Sequence, residues 1–378
     1  MRIIVTAAVA AGALAVVPTA RAQQPAKPPV QAEIVAELPQ AVGNITFTPD
    51  KRVIFSHHPF YAPDIRVAEL DPDGKSFKPF PDAGWNTPRP GTDRYLDSVL
   101  GLRGDENGII WLMDMGQRTP LTPKIVGWDS KRNRLHRIYY IPAPVSLPES
   151  QHNDFVVDLK NRKFYIADEG IGPGGDGSKA ALVIVDMDTG AARRVLQGHA
   201  STLPEDRPIT VDGKELTVPG KDGKPSVIKV GADGIAADKA YRWLYYAPLN
   251  GTSVYRLRIA DLNDERLSDA ELGGKVERYA AKPNNGGFSL DGAGNLYLTE
   301  VEARAVGVIP ADGRQYRRFA VHDAMHWPDG VSYSPDGFMY VSAAQLAQAA
   351  VFNDGKGSNK PPYYIFRFKP LAPGRIGH

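Results

Sequence analysis

Oxygen-bearing side chains recur in this chain beside short apolar segments, either just before a segment or just after one. The set that precedes the segments is Asp97, Ser98, His152, Asn153, Asp154, Asp233, Asn284, Asn285 and Asp329. The set that follows them is His57, His58, Asp114, Asp168, Glu169, Asn250 and Glu300. Carboxylates and imidazoles of this kind exchange protons, and groups of carboxylate and amide oxygens bind hard cations such as Ca²⁺.

Three kinds of site are compatible with these residues. A proton-transfer site would use Glu300, Asp168 and His152 as acids and bases. A small-molecule site would use Asp97, Asp114, Asn153, Asp154, Asn285 and Asp329. A Ca²⁺-like cation would be held by Asn153, Asp233, Asn285 and Asp329. A structural interpretation also holds, because Asp and Asn before Gly are common turn residues.

The elements that must position these side chains repeat along the chain. The stretch from Asn153 to Gly190 contains three short runs rich in Val, Ile, Phe and Tyr, and turn residues separate them. The runs that follow comparable turns elsewhere are VIFS, IIWLMD, KFYIAD, WLYYAP, NLYLTE and FMYVSA. Six units at spacings of roughly 45 to 80 residues are typical of propeller blades.

The sequence therefore predicts an all-β fold, a six-bladed β-propeller with four-stranded antiparallel blades. The last unit lacks one strand, and we expect the run from Ala32 to Leu38 to supply it and close the ring. In a propeller the two polar sets meet at one end of the central channel, so their members come together despite their separation in sequence. The polar insert from His199 to Lys229 is expected to form a small hairpin over the rim.

Composition limits the classes of function. The chain has 378 residues, a formal net charge of +2 and no cysteine. This balance gives no indication of a nucleic-acid partner, and the absence of cysteine excludes disulfides. Because propeller blades share one radial core, residues 32–378 are interpreted as one domain.

The N-terminus has the pattern of a bacterial export signal. Arg2 precedes an apolar segment from Ile3 to Val17, and Ala20 to Ala22 match a small-x-small cleavage pattern. We predict a signal peptide over residues 1–22, a flexible lead-in over residues 23–31, and a periplasmic or secreted location. No later segment is apolar enough to predict a membrane span.

Several motifs resemble the yellow/major royal jelly protein family. They are Trp111 to Gly116, Asp154 to Gly170, Leu244 to Leu249, and Trp327 to Gly330 followed by Met339 to Ser342. The similarity extends from about Glu33 to Pro370. It implies a six-bladed propeller and an activity related to L-dopachrome tautomerase, the binding of biogenic amines, or a nutrient or pigment-pathway role. Insect members have disulfides, which this cysteine-free chain cannot form.

A more distant resemblance is to the gluconolactonase and senescence-marker propellers. It implies a channel metal held by Asn153, Asp233, Asn285 and Asp329, and a lactone or ester hydrolase. That family places a Glu where this chain has Gly43 and Asn44. Three functions therefore stay open: a tautomerase that binds a small polar or aromatic molecule, a metal-dependent hydrolase, and a binding protein without catalysis.

Overall fold

The chain folds as a six-bladed β-propeller, as the repeats predict. The structure is a computed structural model, and it describes residue 1 and residues 28–220, 223–353 and 355–378. The predicted signal peptide, apart from Met1, lies outside the described residues. Two strands precede the first blade: β1 (Val30–Gln31) and β2 (Glu33–Leu38).

Blades 1 to 3 follow in chain order, each running from the channel outward. Blade 1 contains β3 (Val42–Phe47), β4 (Val53–His57), β5 (Val67–Leu70) and β6 (Phe77–Pro79). Blade 2 contains β7 (Val99–Gly104), β8 (Ile109–Asp114), β9 (Lys124–Asp129) and β10 (Arg134–Tyr140). Blade 3 contains β11 (His152–Asp158), β12 (Lys163–Asp168), β13 (Ala181–Asp186) and β14 (Ala192–Val195).

The insert that was expected to form one hairpin forms two small ones. They are β15 (Thr210–Val211) with β16 (Lys214–Glu215), and β17 (Thr217–Pro219) with β18 (Pro225–Val227).

Blades 4 to 6 complete the ring. Blade 4 contains β19 (Ala232–Ala237), β20 (Trp243–Pro248), β21 (Ser253–Arg258), the helices α1 (Ile259–Leu262) and α2 (Asp269–Gly273), and β22 (Glu277–Ala281). Blade 5 contains β23 (Asn285–Leu290), β24 (Leu296–Glu300), β25 (Ala305–Ile309) and β26 (Arg317–Val321). Blade 6 contains β27 (Pro328–Tyr333), β28 (Met339–Ala343), β29 (Tyr363–Phe368) and the outermost strand β2. Three short 3₁₀ helices span Pro59–Tyr61, Leu346–Gln348 and Ala350–Phe352.

Strand β2 closes the ring, which confirms the expected role of the N-terminal run. It pairs antiparallel with β29, and Ala36 lies opposite Ile365. Val30 and Gln31, at the end of the predicted lead-in, pair in parallel with the outer strand of blade 5. Innermost strands contact each other from blade to blade, and β27 contacts β3 where the ring closes.

Apolar side chains pack between blades rather than in one central core. Within the described part of the chain, each of the six blade interfaces contains its own buried cluster. The middle strands β8 and β9 are buried along their whole length because blades cover both faces, whereas the outer strand β10 is mostly exposed. No helix of the described residues is long and apolar enough to cross a membrane.

The recurring turn that predicts the blades has a common backbone feature. In every blade, the turn between the first and second strands contains one residue with a positive φ angle. These residues are Lys51, Gly108, Arg162, Tyr241, Gly294 and Gly337. Tight antiparallel connections need such a residue, so the sequence signal and the fold have the same physical origin.

Candidate functional site

A cavity of about 800 Å³ lies at the mouth of the central channel. Its walls are mostly apolar but also include the charged residues Asp176, Lys224 and Lys229, and the insert hairpins and the loop after β28 contribute to them. Wall residues include Phe60, Ile171, Ile228, Leu249, Trp327 and Phe352. Its base is polar and is formed by the first residues of the innermost strands and by residues that follow the second strands. The cavity is large enough for a small organic ligand.

A bulge in each innermost strand places side chains at this base. In all six blades the pairing between the first and second strands shifts register near the mouth. The residues in these shifts are Gly43 and Asn44, Leu100 and Gly101, Asn153 and Asp154, Asp233, Gly286 and Gly287, and Asp329 and Gly330. A bulge interrupts the strand alternation and redirects a side chain, so residues far apart in sequence converge at the channel.

Two carboxylates share one amide donor at the base of the cavity. The Nδ2 atom of Asn153 donates to Glu169 Oε1 at 2.9 Å and to Asp233 Oδ1 at 2.6 Å. Gln151 Nε2 donates to the other oxygen of Glu169. Glu169 and Asp233 are each 4% exposed. We call Glu169, Asp233 and Asp329 the mouth carboxylates, since all three line the cavity.

Asp329 lies against a histidine at the same base. Its Oδ2 atom is 3.5 Å from His58 Nε2, and that oxygen has no hydrogen bond among the described residues. The other ring nitrogen, His58 Nδ1, accepts a hydrogen bond from the Phe60 backbone N–H at 3.2 Å. A neutral imidazole with this partner carries its proton on Nε2. His58 therefore presents an N–H donor to Asp329.

Burial, and then the charge of a neighbouring carboxylate, raises the pKa of each mouth carboxylate. Burial, and then the charge of Asp154, raise the pKa of Asp233 to about 7. The pKa of Glu169 is raised well above its ordinary value by burial and then by the charge of Asp233. Burial and Asp233 also raise the pKa of Asp329. A group whose pKa is close to neutral pH can both accept and return a proton.

One buried ammonium partly offsets this negative charge. Lys282 Nζ donates to the carbonyls of Leu249 at 3.2 Å, Gly251 at 3.0 Å and Pro283 at 3.2 Å. Burial lowers its pKa to about 7, and its charge opposes the rise in the pKa of Asp233.

Deeper in the channel, Asp154 is bonded to other protein groups. It forms a buried ion pair with Arg103 and accepts hydrogen bonds from Asn44 Nδ2 at 3.4 Å and the Phe155 N–H at 3.0 Å. Burial raises its pKa, although Arg103 opposes the shift. Asp154 therefore adds negative charge beneath Asp233 while its own oxygens are bonded to protein groups.

The three residues predicted as acids and bases do not line the cavity. Asp168 bonds to Arg194 Nη1 at 2.5 Å and accepts the backbone N–H groups of Gln151 and Gly170. Glu300 pairs with Arg318 at 3.2 Å. His152 Nε2 lies 3.0 Å from Ser146 Oγ, and burial lowers the pKa of the ring. These contacts tie strands and loops together, so the structure places the three residues in structural positions.

Three residues predicted to bind a ligand also lie away from the cavity. Asp97 accepts hydrogen bonds from Thr119 Oγ1 at 2.8 Å and from the Arg118 N–H at 2.7 Å, which fixes the loop after β8. Asp114 pairs with Lys124 at 2.8 Å. Asn285 is fully buried opposite Glu300, one position before the bulge of its strand. Of the sequence-predicted residues, Asn153, Asp233 and Asp329 meet at the base, with Asp154 below them.

Glu169 and His58 belong to the polar residues that follow the apolar segments, but the sequence did not predict either of them as a site residue. Each directly follows the last residue of a second strand, Asp168 or His57. Because neighbouring strand residues point to opposite sides, only one residue of each pair can face the mouth. The structure shows that it is Glu169 in one pair and His58 in the other.

The predicted cation set is not assembled in this arrangement. Asn285 does not line the cavity, and Asn153 presents its donor nitrogen, not its oxygen, to two carboxylates. Over residues 28–220, 223–353 and 355–378, no group of three or more His, Asp or Glu side chains is placed to hold a metal ion. The residues as arranged therefore do not fit a Ca²⁺ site.

Comparison of sequences identifies a family. The sequence profile described as "Major royal jelly protein" matches residues 97–332, well over half of the chain. No curated protein matches the chain.

Solved structures with the same fold share little sequence identity with this chain. A calcium-binding protein, regucalcin, from Agrobacterium tumefaciens superposes with a TM-score of 0.56 at 13% identity, over 92% of this chain and 97% of that chain. A gluconolactonase from Xanthomonas campestris gives 0.55 at 14% identity, over 92% and 99%. A luciferin-regenerating enzyme gives 0.54 at 12% identity, over 92% and 97%. At these identities the likeness establishes the propeller fold alone.

Proposed function

The chain belongs to the major royal jelly protein family, and from that membership and the geometry of the channel mouth we propose that it binds a small aromatic molecule there and moves a proton within it. The ligand class follows from the cavity. Aromatic and aliphatic walls stabilise an apolar body, and the mouth carboxylates favour a positively charged group.

One observation carries this proposal: two buried carboxylates share the Asn153 amide at the base of an apolar cavity. Burial is the main cause of the raised pKa values of Glu169 and Asp233, and the charge of a neighbouring carboxylate, Asp233 for Glu169 and Asp154 for Asp233, raises them further. A cationic ligand relieves the repulsion. An acid with a pKa near neutral pH is also suited to proton transfer.

The reaction that fits these groups is tautomerisation of a dopachrome-type compound. The Asp233 carboxylate takes a proton from a saturated ring carbon that is conjugated with a quinone carbonyl through a C=C bond, and the C–H electron pair forms a new C=C bond. The π electrons shift along the conjugated system to the carbonyl oxygen. That oxygen takes up one proton from water, and Asp233 gives its proton to water, so one proton has moved from carbon to oxygen and Asp233 is back in its starting state. Asn153 and Glu169 hold Asp233 in position through the shared amide.

Metal-assisted lactone hydrolysis is a less suitable alternative. The gluconolactonase neighbour shares the fold at 14% identity. In this chain Asn153 bonds to two carboxylates through its nitrogen, so the base is already internally hydrogen-bonded. We therefore expect that a chelator does not reduce the tautomerase activity.

The decolourisation of L-dopachrome methyl ester tests the reaction. The ester is preferred because a free carboxylate would be repelled by the mouth carboxylates. We expect conversion above the rate without protein, unchanged by a chelator and reduced at least about tenfold by Asp233→Asn, within the range of one proton-transfer group. Glu300→Gln is the matched control and should retain the wild-type rate. Equal rates with and without protein would reject the reaction, and loss of activity on chelation would reject the metal-free mechanism.

A further inference from the structure

A second cavity, of about 700 Å³, lies at the end of the channel opposite the mouth. We propose that this lower cavity binds a small organic anion with an aliphatic body, such as a medium-chain carboxylate. The turns between the first and second strands of blades 2 to 5 form its rim, and residues 373–378 form one wall. It shares no lining residue with the mouth cavity, so the inference does not depend on the proposed function.

Hydrogen bonds hold the wall formed by residues 373–378 against the innermost strands. The Gly377 N–H donates to the Tyr333 carbonyl at 2.9 Å, and the Tyr333 N–H donates to the His378 carbonyl at 2.8 Å. Ser289 Oγ donates to the same His378 carbonyl at 2.8 Å. These bonds reach strands of blades 5 and 6, so the wall is part of the folded propeller and the cavity has a defined shape.

The interior of the lower cavity is largely aliphatic. Its lining includes Val156, Leu159, Ile235, Ala237, Leu290 and Ile376. Leu159, Ala237 and Ile376 are only partly buried. The aliphatic part of a ligand would remove their remaining surface from water, which is favourable. The volume is within the range of cavities that take small organic molecules.

Three cationic side chains line this cavity without an acidic partner among the described residues. Lys160 Nζ donates to the Ala240 carbonyl at 3.1 Å, and Arg375 Nη2 donates to the Lys239 carbonyl at 2.8 Å. The Arg375 guanidinium also lies 4.2 Å from the centre of the Tyr241 ring. The exposed Lys239 ammonium has no bond to a described residue. All three charges are therefore available to an anionic group.

The acidic residues of the rim compensate little of this charge. Asp105 and Asp291 are 3% and 2% exposed. Each carboxylate accepts hydrogen bonds from backbone N–H groups of its own turn and from an aromatic side chain of the following strand. Glu106 is the remaining acidic residue of the lining, and it is exposed. Three cations thus accompany one accessible carboxylate.

His378 contributes a neutral polar group to the same cavity. Its side chain lines the cavity and forms no hydrogen bond to a described residue. Burial, and then the charges of Arg375 and Arg103, hold the pKa of the imidazole well below its usual range. The neutral ring therefore has one N–H to donate, and the potential around it is positive. A carboxylate accepts from such a donor and pairs with the cations, whereas the mouth carboxylates would repel it.

Calorimetric titration with octanoate and octanamide tests the proposal. The two probes share the aliphatic chain and differ in the charge of the head group. We expect one octanoate per chain, bound at least about fivefold more tightly than octanamide, as several partly exposed ion pairs would produce. Lys160→Gln combined with Lys239→Gln should reduce this ratio to about two or less. Lys356→Gln, an exposed lysine outside the cavity, is the matched control and should leave it unchanged.

Ala240→Trp tests the position of the site. Ala240 is exposed and lines the cavity, so an indole at this position occupies the cavity without disturbing the core and should abolish binding of both probes. Phenethylamine, a cationic aromatic probe directed to the mouth, should not compete with octanoate. Absence of octanoate binding, equal affinities for the two probes, or an unchanged preference in the double lysine variant would each overturn the proposal. Binding that survives Ala240→Trp, or competition with phenethylamine, would place octanoate elsewhere and overturn it as well.

Discussion

Asp233 is buried in a position that stabilises its protonated form. Its pKa is raised from an ordinary value near 4 to about 7. The folded protein therefore binds more protons than the unfolded chain between about pH 4 and pH 7, and the free energy of unfolding falls as pH rises through that range. At pH 8 the ionised Asp233 therefore lowers the free energy of unfolding of ligand-free protein. A neutral side chain at this position would not have this effect.

Asp233→Asn should consequently raise stability at pH 8, by up to about 4 kcal/mol, because one pKa unit corresponds to about 1.4 kcal/mol. The gain should largely disappear near pH 4, where the wild-type group is protonated in the folded state and about half protonated in the unfolded chain. Urea unfolding at pH 4 and pH 8 measures both values. A variant that is less stable than wild type at pH 8 in chelator-treated protein would contradict this account of the base.

Asp168→Asn is the matched control because this residue is equally buried and its pKa is lowered. Burial opposes that shift, but His152 and Arg194 outweigh it. A lowered pKa contributes stability above the ordinary pKa, and that stability is lost as pH falls through the folded value. Asp168→Asn should therefore be less stable at pH 8 by about 3 kcal/mol, since Arg194 loses its partner.

At the residue scale, the sequence predicted part of the site. Asn153, Asp233 and Asp329 could be found because they stand at the turns that enter innermost strands. The sequence predicted Asp168 rather than Glu169, because strand alternation separates the two residues without deciding which of them faces the cavity. Asn285 follows the same sequence pattern as Asn153 but precedes its bulge by one position. Bulge positions depend on pairing between strands, which no single segment encodes.

At the element scale, the turn between the first two strands does more than reverse the chain. In blades 2, 5 and 6 its Asp accepts a hydrogen bond from an aromatic residue of the second strand. The pairs are Trp111 with Asp105 at 2.9 Å, Tyr297 with Asp291 at 3.1 Å, and Tyr340 with Asp336 at 2.7 Å. The buried aromatic ring and the turn thus stabilise each other, which explains why both recur in the sequence.

The insert hairpins are the elements that shape the cavity. None of their strands pairs with a blade, yet Ile209, Val218 and Ile228 line the apolar wall. The sequence predicted a rim excursion here but not its contribution to the wall. That contribution depends on packing against Trp327 and Phe352, which come from a distant part of the chain.

Replacing residues 210–227 with a flexible Gly-Ser linker should therefore weaken phenethylamine binding about tenfold, through loss of apolar contact, and leave the propeller folded. Calorimetry gives the affinity, and circular dichroism reports the fold. Glu215→Gln, an exposed change within the same insert, is the control and should bind normally. Unchanged affinity after removal of both hairpins would show that the wall plays no part in binding.

At the scale of the whole molecule, stability depends on closure of the ring. The repeat pattern predicted six blades and the joining of the two chain ends, because each unit leaves one face to be covered by the next. Strand β2 completes blade 6, and its inward residues Ala36 and Leu38 are buried at the junction with blade 1. The helices α1 and α2 of blade 4 were not predicted, since they are short and lie between strands.

Ala36→Asp should destabilise the whole propeller by at least about 3 kcal/mol, because it buries a charge without a partner at the closure. Glu37→Gln, its exposed neighbour, should have little effect. Urea unfolding followed by tryptophan fluorescence compares the two. Similar stability of both variants would mean that β2 is not needed for closure.

The binding of phenethylamine to the acidic base of the cavity is the central claim, and isothermal calorimetry at pH 8 tests it most directly. We predict saturable binding of one molecule per chain, at least about tenfold weaker in Asp233→Asn because a charged partner is lost. Glu300→Gln, whose carboxylate lies outside the cavity, should bind like wild type. Absence of binding to wild-type protein, or equal affinity in wild type and Asp233→Asn, would contradict the account.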